Sequence, residues 1–214
     1  VRSRKRGEPL RVIYDAAMPR DLLKKVMGKL RLDRLDTTVA GGRYHNHKDF
    51  MQFPDCGRTD LKFPRWESVL PAAFESQDSL IDKIMKRDLM IHVPYQSFDA
   101  YLRLLREAAI SPRVESIKTT LYRLAKDSKV VETLVTAAKN GKKVTVVIEL
   151  LARFDEASNI SWSKKMREAG INVVFGVEGL KVHSKITWIK TTEGNLACIG
   201  TGNFHEGNAR MYTD

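Results

Sequence analysis

Two stretches of this chain carry residue types that could do chemistry: Lys181-Val182-His183-Ser184-Lys185 and Gly200-Thr201-Gly202-Asn203-Phe204. In an extended segment alternate side chains share a face. Lys181, His183 and Lys185 then point one way, and Val182, Ser184 and Ile186 the other. An imidazole between two ammonium groups is badly placed for a core and well placed for a phosphoryl group. The cations would hold the oxygens of a polyanion, and a neutral ring nitrogen could attack phosphorus. The glycines of the second stretch let backbone N–H groups come close to an anion. The plainer alternative for the first stretch is a solvated strand end with an incidental histidine.

Further candidates follow from the elements that must hold these stretches. Leu10 to Tyr14 reads as a strand, and Pro19 opens a helix with Leu22, Leu23, Val26, Met27 and Leu30 at helical spacing. Thr37 to Phe63 reads as turn-rich. Within it, His45 and His47 lack a third ligand, so a polar loop is preferred to a metal site. Pro64, Pro71 and Glu75-Ser76-Gln77-Asp78 mark a boundary or linker. A regular alternation begins beyond it. Strands are expected at Asp88–Val93, Val114–Arg123, Lys143–Leu151, Asn172–Val177, Lys185–Ile189 and Leu196–Ile199. Helices are expected after Ser97, over Lys129–Asn140 with Gly141 as its cap, and over Ala157–Ala169 with Gly170 as its cap. The run Val144-Thr-Val-Val-Ile148 suits a strand covered on both faces. The pattern predicts an α/β fold: a mixed, largely parallel sheet flanked by helices on both sides, with an antiparallel hairpin at its end and a partial α/β domain before it.

In such sheets ligands gather at the carboxyl ends of strands. Arg123 and Arg153 follow two strands of one βαβ unit, and a guanidinium fork suits phosphate oxygens. The alternative is that each caps a helix or pairs with Asp127, Asp155 or Glu156. Glu149, Asp155 and Glu156 could help hold magnesium. For Asp155 and Glu156 the first turn of the next helix is the preferred role. There is no phosphate-binding G-x-x-x-x-G-K-[ST] loop and no G-x-S-x-G elbow.

Composition narrows the field. The 214 residues are 43% hydrophobic, as a globular chain requires, and the net charge of +11 points to polyanion partners. No apolar run approaches the ~20 residues of a membrane-spanning helix. The basic start, Val1 to Gly7, has no apolar region behind it and is not a signal peptide. Cys56 and Cys198 have no C-x-x-C partner and read as buried, reduced thiols of a cytoplasmic protein. Peripheral association with an anionic membrane is the alternative placement.

Several segments together resemble one family closely. They are Pro94-Tyr95-Gln96-Ser97-Phe98, Ile117 to Ser128, Asn140 to Glu149, Ala152-Arg-Phe-Asp-Glu-Ala157, Gly179 to Lys185, Ile199 to Phe204 and Ala209 to Asp214. Arg4-Lys5-Arg6-Gly7 and Arg43-Tyr44-His45-Asn46 join them. The chain resembles the bacterial polyphosphate kinases that carry two phospholipase-D-like domains. The resemblance implies residues 1–70 as the end of a head domain and residues 71–214 as most of the first phospholipase-D-like domain. It implies reversible transfer of the terminal phosphate of ATP to inorganic polyphosphate, with magnesium as cofactor and a homo-oligomeric full-length enzyme that needs no nucleic acid. By position His183 becomes phosphorylated and is flanked by Lys181 and Lys185. Arg123 and Arg153 match a magnesium–phosphate cluster, Tyr212 matches a nucleotide contact, and Asn203 belongs to the phosphate-binding set. An arginine has no lone pair for a metal, so both should contact phosphate.

Two departures qualify the resemblance. Lys190 stands where phospholipase D enzymes carry an aspartate, which fits a kinase better than a phosphodiesterase. A second catalytic histidine and an ATP-holding N-terminal domain fall outside these residues, so a truncated piece with little turnover of its own is expected. The rivals are a phospholipase-D-type phosphodiesterase or nuclease and a non-catalytic basic polyanion-binding module.

Overall fold

The computed structural model describes residues 11–32, 37–44, 47, 50, 54, 56–64, 66–149, 156–176 and 179–214; the side chains of residues 156 and 157 fall outside the description. Contacts divide the chain into two units, Val1–Pro64 and Arg65–Asp214.

In the first unit, strands β1 (Arg11–Asp15) and β2 (Thr37–Gly41) run parallel, with helix α1 (Arg20–Leu30) between them in sequence. A parallel pair needs such a crossover. The helix follows Pro19 as expected, and Arg31 ends it in a left-handed conformation. Strand β2 adds a strand to the stretch Thr37 to Phe63 that reads as turn-rich. The β-branched run Thr37-Thr38-Val39 pairs with Arg11, Val12 and Ile13 of β1. His45 and the basic Val1–Gly7 start lie outside the described residues.

The second unit holds α2 (Ala72–Glu75), α3 (Leu80–Lys86), α4 (Asp99–Ile110), β3 (Val114–Leu121), α5 (Lys129–Lys139), β4 (Lys143–Ile148), α6 (Glu156–Glu168), β5 (Asn172–Phe175), β6 (Lys185–Thr191) and β7 (Asn195–Gly200). The sheet order is β5-β4-β3-β6-β7. Strands β3, β4 and β5 are parallel, and β6 runs antiparallel to both β3 and β7. This is the mixed, largely parallel α/β sheet that the alternation predicts. Gly141 and Gly170, both at φ near +80°, close α5 and α6 as expected.

Coverage of the sheet differs from the expectation. Ile117, Thr119, Leu121, Val144, Val146, Ile148, Thr187 and Ile189 are buried, and the register puts them all on one face. Residues of the opposite parity are open among the described residues: Trp188 is 41% exposed and Ile199 78%. Val144 to Ile148 is therefore buried at alternate positions only. A continuous apolar run does not distinguish a doubly covered strand from one whose second face holds Thr145 and Val147 half exposed.

Two further expectations change. Asp88–Val93 is not a strand. Leu89, Ile91 and Val93 do turn to the core while Met90 is 87% exposed, but among the described residues the only reciprocal backbone pair of the segment is Val93 with Asp214. Of the stretch expected as a boundary or linker, Pro64 stands at the division between the units, whereas Pro71 and Glu75–Asp78 belong to the second unit. Phe74 is buried, and Ser79 caps α3 by accepting the Asp82 N–H, a signal that was present in Ser79-x-x-Asp82. Cys56 is exposed rather than buried, whereas burial pushes the half-buried Cys198 thiol up to about 11.

Candidate functional site

The site is built where β6 begins beside the end of β3. Residues 181–184 lead into the strand without regular structure. Thr120 of β3 holds this lead: its Oγ1 donates to the Ser184 carbonyl at 2.6 Å and accepts the Ile186 N–H at 3.1 Å. Val182 is buried, and its N–H donates to Glu149 Oε2 at 3.2 Å. His183 thus lies between two anchored neighbours, and its own side chain is exposed.

Two side chains orient the imidazole. The Tyr122 ring meets it edge-on, with centroids 5.1 Å apart and planes at 75°. Lys185 Nζ lies 3.1 Å from Nδ1 and 3.2 Å from Nε2, and donates to the His183 carbonyl at 2.5 Å. The imidazole tautomer decides which of the two ring nitrogens accepts from this ammonium. Lys185 is 6% exposed and sits on the covered face of the sheet with Thr187 and Ile189. Burial pushes its ammonium below the ordinary lysine range, and the Asp214 carboxylate partly offsets this. The expected sharing of one face therefore brings His183 and Lys185 together, but with Lys185 buried. Lys181 is exposed.

The Gly200–Gly202 turn does approach an anion, and that anion belongs to the chain. Asp214 Oδ1 accepts the Thr201 N–H at 2.9 Å and also the Thr201 hydroxyl. Burial raises the Asp214 carboxyl, but bonds from Thr201 and Gly202 and the charge of Lys185 hold it below the usual carboxylate range. A Cβ on Gly202 would stand 2.9 Å from Asp214 Oδ2. Gly202→Ala should therefore destabilise this turn by about 1–3 kcal/mol, read as a lowered midpoint in urea unfolding; an unchanged midpoint would contradict the arrangement.

A cleft of about 1120 Å³ opens beside this turn, and Arg123, Asn203, Tyr212 and Asp214 line it. Three residues singled out from sequence thus share one cleft, and Asp214 links it electrostatically to Lys185. Asn203 Oδ1 is buried with no partner among the described residues. Arg153, Asp155 and the Glu156 side chain lie outside the description, so the expected pairing of Arg123 with Arg153 does too.

Magnesium does not fit the described residues as a protein-held ion. They contain no group of three or more metal-ligating side chains. Arg123 cannot ligate, and Glu149 is buried and accepts the Val182 N–H. Lys190, at the position of the phosphodiesterase aspartate, pairs with Glu115 at 2.7 Å and holds that carboxyl below its usual range.

Sequence reasoning missed several supports. Tyr101 reads as one apolar position of a helix face. In the fold its hydroxyl lies 2.9 Å from Thr187 Oγ1, which lies 2.8 Å from Thr119 Oγ1. Its ring stacks on Phe204 with centroids 4.6 Å apart. Burial raises its phenol well above the ordinary range. One side chain thereby ties α4 to both β6 and the Gly200–Phe204 loop. Asp214, Tyr122 and Thr120 carried no local signal, because their partners lie far along the chain.

Comparison with known proteins shows which family the chain is similar to. The family model for polyphosphate kinase C-terminal domain 1 matches residues 79–214, and that for the polyphosphate kinase middle domain matches residues 1–53. The chain is 46% identical over 210 residues to polyphosphate kinase of Vibrio vulnificus (strain YJ016), covering 96% of this chain and 30% of that protein. It is 43% identical over 221 residues to polyphosphate kinase of Escherichia coli (strain K12), covering 100% of this chain and 32% of that protein. The crystal structure of polyphosphate kinase from Porphyromonas gingivalis superposes with a TM-score of 0.68 at 38% identity, covering 95% of this chain and 33% of that one. The chain thus spans 30–33% of the length of these relatives. No helix among the described residues is long and apolar enough to cross a membrane. On the two family matches and the identity along nearly all its residues, this chain belongs to the polyphosphate kinase family.

Proposed function

We propose that this protein moves the terminal phosphoryl group of ATP to the end of an inorganic polyphosphate chain, and that His183 carries the group in between. A neutral ring nitrogen attacks the γ-phosphorus in line, a P–N bond forms, and the bond to the ADP oxygen breaks with its electron pair leaving on ADP. A terminal oxygen of polyphosphate then attacks the same phosphorus, and the P–N bond breaks. Each step runs in reverse equally well.

The observation that carries this reading is the contact of the buried Lys185 ammonium with the ring of an exposed His183, at 3.1 and 3.2 Å. The ammonium stabilises the negative charge on the transferred group. Lys181 offers a second cation at the solvent side. Arg123 and Asn203 are assigned to phosphate, together with Arg153, and Tyr212 to the nucleotide. No described residue is assigned to magnesium; held by the substrate's phosphates, it would supply charge neutralisation.

The test uses the full-length protein with ATP, magnesium and a short polyphosphate primer. Lengthening of the primer with stoichiometric ADP is expected. Release of nitrophenol from bis(4-nitrophenyl) phosphate with no primer lengthening would overturn the proposal in favour of a phosphodiesterase.

A further inference from the structure

Asn159 stands in the first turn of α6 and is fully buried. Both hydrogens of its amide are used. Nδ2 donates to the Tyr122 carbonyl at 3.0 Å and to the Glu149 carbonyl at 2.9 Å. The orientation of the amide follows from chemistry, since both neighbours are carbonyls and can only accept. Its Oδ1 is buried with no partner among the described residues.

Those two carbonyls lie just past the ends of β3 and β4, which are neighbouring parallel strands. Each belongs to a residue that reaches the His183 segment. The Tyr122 side chain packs edge-on against the imidazole. The Glu149 side chain, 6% exposed, accepts the N–H of Val182, the residue before His183. One buried amide thereby fixes from below both the group that orients the ring and the group that holds its backbone.

We infer that Asn159 is a positioning residue for phosphoryl transfer at His183, acting through Tyr122 and Glu149. The inference rests on the reading of His183 as the phosphoryl carrier. In-line attack tolerates little displacement, and a misplacement of about 1 Å by a residue remote from the chemistry costs roughly 100-fold in rate. A purely structural Asn159, one that only docks α6 on the sheet, would lower stability and leave the rate of the folded enzyme alone.

Asn159→Asp is nearly isosteric and turns two attractive bonds into two repulsive contacts. Tyr122→Leu keeps both backbone bonds and removes only the ring, so it reports on the same relay if the first variant folds poorly. In the full-length protein, kcat, the KM for ATP, the melting temperature and the rate of acid-labile labelling from γ-labelled ATP are measured together. For Asn159→Asp, a fall of about 100-fold in kcat and labelling rate is expected, with KM within about threefold. For Tyr122→Leu, a fall of about tenfold at unchanged melting temperature is expected. Wild-type labelling rates in a folded Asn159→Asp variant overturn the inference, and so do wild-type rates in Tyr122→Leu. Absence of acid-labile label in the wild type overturns the carrier reading itself, and the relay with it; that failure is seen in the wild type and not in the variants.

Discussion

Replacing His183 by alanine in the full-length enzyme should lower polyphosphate synthesis by about 10⁴-fold or more. The size follows from what the side chain does. If the imidazole forms the P–N bond, its removal deletes both half-reactions, and no neighbour can take its place. The Lys185 amine is committed to the His183 carbonyl and buried. The Tyr122 ring reaches the imidazole only by its edge. The fold should survive, because the His183 side chain is exposed and the segment is held by Thr120, Val182 and Glu149. An unchanged melting temperature with lost synthesis separates loss of the nucleophile from loss of structure.

Lys185→Met should cost about 10²–10³-fold in kcat, the range for removing one preorganised donor to developing charge. Methionine fills the buried position without an ammonium. The variant should melt no lower than wild type, because the Lys185 ammonium is held below its ordinary pKa by burial. Between the folded and unfolded pKa the unfolded chain holds more protons. Stability then rises with pH through that window, while the charge needed for transfer is lost. The wild-type rate should accordingly fall on an alkaline limb below the ordinary lysine range, and Lys185→Met should lack that limb. A Lys185→Met enzyme with wild-type kcat, or one retaining the limb, would contradict the role given to this ammonium.

Much of the fold could be read from residue patterns. The apolar periods of α4 and α5, the glycines after α5 and α6, and the turn before β7 all mark elements that the structure contains. The errors share a physical cause. Local pattern does not show what lies across a strand, so Val144 to Ile148 reads as doubly covered although only alternate residues are buried. It also favours Asp88–Val93 as a strand, although among the described residues its one reciprocal backbone pair is Val93 with Asp214. Alternation along Lys181–Lys185 correctly puts His183 and Lys185 on one side. It does not tell that Lys185 is buried while Lys181 stays in solvent.

At the site, sequence names the groups that line the cleft better than those that hold the His183 segment. Arg123, Asn203 and Tyr212 do line one cleft. The glycines of Gly200–Gly202 do cradle an anion, but its identity as Asp214 depends on the chain returning to that turn. Asn159 carries no recognisable motif and sits in a helix of otherwise polar character. Its importance appears only when two strand ends are seen to converge on one amide.

The most direct measurement is phosphopeptide mapping of the full-length enzyme after a short pulse of γ-labelled ATP. The account predicts one base-stable, acid-labile phosphoramidate in the peptide that contains His183, chased by added polyphosphate primer or ADP. Label on any other residue, or primer lengthening at full rate with no labelled His183, would contradict it.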